Sequence, residues 1–189
     1  MTEQEFFTVH HSLTANIEPM AEDFVLPSPI QFESEIPAPF VVASEFSQLD
    51  LMADSARKEL KNSDLKNVIS LLDAQNSKLN LLLSFMLSQQ DQAEYRTHTY
   101  SFGASQFSCF TRSDIAQGRY VKAKLFLEHP AAAVYCYAQV SSSTPRDGGF
   151  EVLFKYAHLR DTDQDLLIKA ALHQQQKLLR QRSLDRDNK

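Results

Sequence analysis

Along residues 7–17, Phe7, Val9, His11, Leu13, Ala15 and Ile17 alternate with mostly polar neighbours. A period of two predicts a half-buried strand, because successive side chains on a strand point to opposite faces. Pro19 closes it, so residues 1–19 are expected to supply a first barrel strand. Residues 20–43 carry Pro27, Pro29, Pro37 and Pro39, four of the seven prolines. Proline removes backbone donors and blocks helix interiors, so this stretch is expected to be an extended connector. Its apolar residues, among them Phe24, Leu26, Phe32 and Phe40, imply that it is pinned to a surface.

The pattern then changes to a helical one. Ser44 has the chemistry of an N-cap, with Glu45 in the first turn where the helix dipole favours an acid. A helix over about 45–61 follows. Ser63 is expected to cap a longer helix over 64–92, which has neither glycine nor proline and would extend about 40 Å. Within it Leu65, Leu72, Leu79 and Met86 recur every seven residues, and Val68, Gln75, Leu82 and Gln89 fall three positions later. Heptad spacing with a polar residue in the seam predicts a self-associating helix whose register is set by Gln75. Ile69, Leu71, Leu81, Leu83, Phe85 and Leu87 widen the apolar face beyond what one neighbour covers, which suits a four-helix bundle and favours a tetramer over a dimer. The plainer alternative is an amphipathic helix lying on its own barrel.

From Tyr95 onward the period returns to two. Val121, Ala123, Leu125 and Leu127 share one face of a strand, as do Val134, Cys136, Ala138 and Val140, and Phe150, Val152, Phe154 and Tyr156. Asp147-Gly148-Gly149 marks the turn before the last strand. Short antiparallel strands with one apolar face predict a barrel over 93–161. Thr162 to Asp165 has the form of a capping box that opens a C-terminal helix over 162–186, with residues 183–189 frayed. The whole chain, 1–189, reads as one domain of mainly β, α+β class, with residues 44–92 as an inserted helix pair.

Composition narrows the chemistry. The net charge of -5 disfavours binding to a nucleic-acid polymer, whose phosphates repel an acidic surface. No signal-peptide pattern and no apolar run of about 20 residues occurs, so a soluble cytoplasmic protein without a membrane span is expected. Cys109 and Cys136 lie in apolar alternating segments and read more simply as buried thiols than as a disulfide. The six histidines show no metal-ligand spacing, and no metal is expected. Asp161, Asp163 and Asp165 lack the glycine and terminal glutamate of a calcium loop. With no phosphate loop, nucleophile elbow or kinase signature, no catalytic residue is singled out and enzyme activity is not expected. Lys177, Arg180, Arg182 and Arg186 read as dipole pairing and solubility, or as a weak anion or partner site.

One stretch carries a family resemblance. Thr99-Tyr-Ser101-Phe-Gly103-Ala104, a Gly118 turn, three strands and a closing helix follow the order of a PilZ domain, the bacterial module that binds cyclic di-GMP. The resemblance covers residues 95–182 best. It implies a PilZ-like antiparallel β-barrel with an inserted helix pair, as in the tetramer-forming branch of the family. The family's Asp/Asn-x-Ser-x-x-Gly motif maps onto Thr99, Ser101 and Ala104: Ser101 matches, Thr99 replaces the acid or amide, and Ala104 replaces glycine beside Gly103. The family's arginine pair would fall in Met1–Phe6, where Glu3 and Glu5 stand instead. Paired guanidinium groups suit a guanine edge and phosphate, and only Arg96 lies near the motif.

The resemblance implies an oligomeric regulatory or adaptor protein in cyclic di-GMP-linked control of motility, pili or biofilm. Its partners would be proteins and copies of itself, with no cofactor beyond cyclic di-GMP as a ligand. The alternatives are a direct receptor with a pocket around Arg96, Thr99, Ser101, Gly103 and Ala104, and an unrelated structural barrel with a dimerising helix.

Overall fold

A computed structural model describes residues 7–61, 64–128 and 131–187. The expected first strand is broken in two, β1 (Thr8–His10) and β2 (Thr14–Pro19), both antiparallel to β3 (Arg96–Gly103) along one edge. Residues 11–13 lie between them without strand pairing, which is a correction to the continuous strand. The other edge of β3 pairs with β4 (Gln106–Thr111), followed by β5 (Tyr120–Leu127), β6 (Ala132–Arg146) and β7 (Gly149–His158). The sheet runs β1-β3-β2-β5-β6-β7-β4, and the β3–β4 pairing closes it into an antiparallel barrel.

Alternation explains the barrel's interior. Val121, Ala123 and Leu125 of β5 lie opposite Ala138, Cys136 and Val134 of β6, and all six are fully buried. Phe107 stacks on Phe154 at 5.0 Å between ring centroids. The other side of β6 is covered too. Phe32 meets Tyr135 and Tyr137, each at 6.0 Å, and Phe40 meets Tyr135 at 6.2 Å. The Tyr137 hydroxyl donates to Glu35 Oε2 at 2.7 Å.

These covering residues correct the extended connector over 20–43. Residues 29–35 form helix α1 (Pro29–Glu35), and α2 (Ala38–Leu60) begins well before the expected 45. The prolines start these helices. Pro29 sits in the first turn of α1, behind a capping box in which Ser28 Oγ and Gln31 Oε1 each accept a backbone N–H. Pro39 sits in the first turn of α2. A first-turn N–H has no partner within the helix, so proline costs nothing there and its fixed φ favours the helix. Ser44 is accordingly buried inside α2 instead of capping it.

The second inserted helix, α3, runs Lys66–Ser88, shorter than the expected 64–92. Its N-cap position is Leu65, and Ser63 lies outside the described residues. Arg57 Nε reaches Asp73 Oδ1 at 3.2 Å between α2 and α3. The last helix, α4 (Asp161–Asp187), starts one residue before Thr162 and runs as far as Asp187, into the stretch expected to fray. Thr162 is therefore not the cap. The Arg160 carbonyl accepts from Asp163 N–H and Gln164 N–H, each at 3.0 Å. Asp163 turns inward and receives two bonds from Arg160, at 2.8 and 2.9 Å. Cys109 and Cys136 are free, buried thiols. The Met1–Phe6 segment lies outside the described residues.

Candidate functional site

The motif residues occupy β3 and the turn after it, and each is engaged by the fold. Thr99 is buried at the strand break. Its Oγ1 donates to the His11 carbonyl at 2.7 Å and accepts from the Leu13 N–H at 2.9 Å. That hydroxyl replaces ladder bonds lost where β1 stops and β2 has not begun. A bulge between Thr99 and Ser101 then shifts the register against β4, and Ser101 Oγ meets Ser108 Oγ at 2.9 Å. Gly103 lies directly under β1: a Cβ there would stand 2.2 Å from the Phe7 carbonyl oxygen. The Ala104 carbonyl accepts from Gln164 Nε2 of α4 at 3.1 Å.

Arg96 stands apart from these residues. It is at the opposite end of β3 from Gly103, separated by seven residues and so roughly 20 Å of strand. Its Nε donates to Asp91 Oδ2 at 2.7 Å. Thr99 thus lies in the middle of β3, Ser101, Gly103 and Ala104 run toward one end of it, and Arg96 stands at the other.

Two clefts lie nearby. One, beneath α4, is lined by His11, Leu13, Phe102 and Ala170 and holds about 30 Å³, room for about one water. Burial lowers the His11 pKa from its usual 6.5, against the raising effect of Glu128. The other is an open groove of about 670 Å³ between α3 and α4, with Ser77, Asn80 and Ser84 facing Lys169 and His173. No motif residue lines either cleft.

The second candidate surface is α3. Leu83 and Leu87 are its buried residues. Leu65, Val68, Leu72, Leu79, Leu82 and Met86 are all exposed, from 44% to 62%, and Gln75 is exposed among them. Leu71, Leu81 and Phe85, at 62–71% exposure, extend the apolar surface around the helix. Large contiguous apolar surface on a single chain marks a site of interaction. The expected seam residues therefore keep much of their surface open. Among the described residues no helix is long and apolar enough to cross a membrane.

No protein-family model and no curated protein sequence matches the chain. Solved structures do. A protein from Xanthomonas campestris, described as a tetrameric PilZ domain self-assembled through an unusual helical bundle, aligns with a TM-score of 0.58. It is 12% identical, and the alignment covers 93% of this chain and 91% of that one. The Bacillus subtilis inhibitor of motility, MotI/DgrA, aligns at a TM-score of 0.49 and 10% identity over 94% of this chain. This chain spans 53% of that protein's length. The chain shares with the Xanthomonas structure a closed antiparallel barrel, here with helices inserted between β2 and β3 and a C-terminal helix after β7. Its fold is PilZ-like α+β.

Proposed function

We propose that this chain is an oligomeric PilZ-like regulatory or adaptor protein acting in bacterial cyclic di-GMP-linked signalling, in control of motility, pili or biofilm. One observation carries the reading: α3 presents a broad exposed apolar surface on a helix inserted into a PilZ-like barrel. Support comes from the Xanthomonas structure, whose PilZ domain is described as assembling through a helical bundle. Several barrels held around such a bundle act by multivalent display to protein partners in the cytoplasm. The work is recognition, and no catalytic step is assigned to it.

Direct binding of cyclic di-GMP through Arg96, Thr99, Ser101, Gly103 and Ala104 is the weaker reading. Each of those groups already has a partner or a close neighbour in the fold, and Arg96 is remote from Gly103. Light scattering on the parent protein tests the first reading. A tetramer or dimer at micromolar concentration is expected, with Leu72→Glu plus Leu79→Glu reducing it to monomer, because charge in the seam cannot be buried unpaired. A monomeric parent sinks the proposal. Calorimetric titration with cyclic di-GMP on the same sample tests the second reading, and saturable heat abolished by Arg96→Ala would establish it.

A further inference from the structure

The segment that returns α3 to the barrel is gripped by a row of three polar side chains on three neighbouring strands. Asn16 of β2 is the register partner of Arg96 on β3 and of Lys124 on β5. Asn16 and Lys124 are buried, at 2% and 9% exposure. All three reach residues 90–92, just past the C-terminus of α3. Asn16 Nδ2 donates to Asp91 Oδ1 at 2.8 Å and to the Gln92 carbonyl at 3.3 Å, and Asn16 Oδ1 accepts the Gln92 N–H at 2.8 Å. Lys124 Nζ donates to the Gln90 carbonyl and to Gln92 Oε1, each at 3.0 Å. Arg96 holds the other oxygen of Asp91 at 2.7 Å.

The rest of α3 has little hold on the barrel. It is a helix of 23 residues, about 35 Å long, with Leu83 and Leu87 as its buried side chains. Both lie near its C-terminal end. Farther out α3 packs on α2, where Arg57 Nε meets Asp73 Oδ1 at 3.2 Å, so the clamp is a polar hold of α3 on the barrel itself. Hydrogen bonds fix direction as well as distance, which apolar contact alone does not. The Lys124 ammonium also lies at the negative end of the α3 dipole, where a cation is favoured.

We propose that Asn16, Lys124 and Arg96 are positioning residues that fix the direction in which α3 leaves the barrel. They thereby fix the spacing and orientation of the barrels in the assembly. The second half of this inference rests on α3 being the assembly helix. The first half does not.

Spin labels on cysteines introduced at Ser70 of α3 and Asp147 of the β6–β7 turn, both exposed, read the direction of α3 within one chain. Labelled full-length protein diluted into unlabelled protein isolates that distance. Lys124→Met and Asn16→Ala are expected to broaden the distance distribution and displace its mean, and Arg96→Lys to stay near the parent. A parental distribution in both clamp variants, whatever the fall in thermal midpoint, overturns the proposal. If the buried-site variants fail to fold, Arg96→Ala at a half-exposed side chain takes their place with the same expected broadening and the same overturning result. Scattering on the same samples separates the two ideas. A monomeric parent removes the assembly reading, and the within-chain distances still decide the clamp.

Discussion

At Gly103 a missing side chain is a packing requirement. The Phe7 carbonyl lies where a Cβ would stand, so β1 must shift if any side chain is added. Gly103→Ala is expected to cost about 1–3 kcal/mol, read as a lower urea midpoint, with cyclic di-GMP titration unchanged from the parent. Buried acids make a second residue-scale prediction. Burial pushes the Cys109 and Cys136 thiols far up from their ordinary 9.0, and Tyr135 and Tyr137 up from 10.0. As pH rises through those ordinary values the unfolded chain releases these protons first, so the folded chain holds more of them and loses stability. Lys124, lowered by burial below its usual 10.5, opposes with a single group. Urea midpoints should therefore fall steadily above pH 9.0. A midpoint that holds or rises across that range contradicts the assignment of these groups as buried acids.

At the scale of elements, α3 divides into an anchor and a surface. Leu83→Ala is expected to cost about 2–5 kcal/mol of unfolding free energy, because it opens a cavity against the barrel. Leu82→Ser, one residue away at 62% exposure, should leave monomer stability nearly unchanged and weaken association. Comparable losses of fold stability in the two variants would remove the distinction. The start of α4 depends on the Arg160–Asp163 pair. Asp163 is fully buried, and burial raises its pKa despite the guanidinium beside it. Arg160→Ala leaves that carboxyl without its partner and should destabilise by about 3–5 kcal/mol at neutral pH. In that variant the folded state takes up the proton before the unfolded state does, so acidification should recover part of the loss. Denaturant midpoints at neutral and mildly acidic pH check both points.

For the molecule as a whole, association and stability are linked. If α3 surfaces cover one another, the thermal midpoint of the parent rises with protein concentration, because assembly binds only the folded chain. The Leu72→Glu plus Leu79→Glu protein should have a midpoint independent of concentration. Calorimetric scans over a range of dilution measure this directly, and a parent without concentration dependence speaks against assembly.

Several elements were legible in the sequence because their signals are local. Period-two alternation in β5, β6 and β7 marks the face turned into the barrel, although β6 is covered on its other face as well. The heptad residues of α3 stand out because large apolar side chains recur there at helical spacing and the fold leaves much of their surface exposed. The prolines of 20–43 misled because a first-turn proline and a loop proline look alike until the capping Ser28–Gln31 pair is weighed with them. What the sequence determined by itself was a run of strand, helix pair, barrel strands and closing helix, the barrel's inner face and the apolar face of α3, while α1 and the break in the first strand escaped it. The tertiary structure alone decided that Thr99 bridges a broken strand and that Asn16, Arg96 and Lys124 meet in one row. Those are contacts between residues up to more than a hundred positions apart, set by register and closure of the barrel, and no local periodicity encodes them.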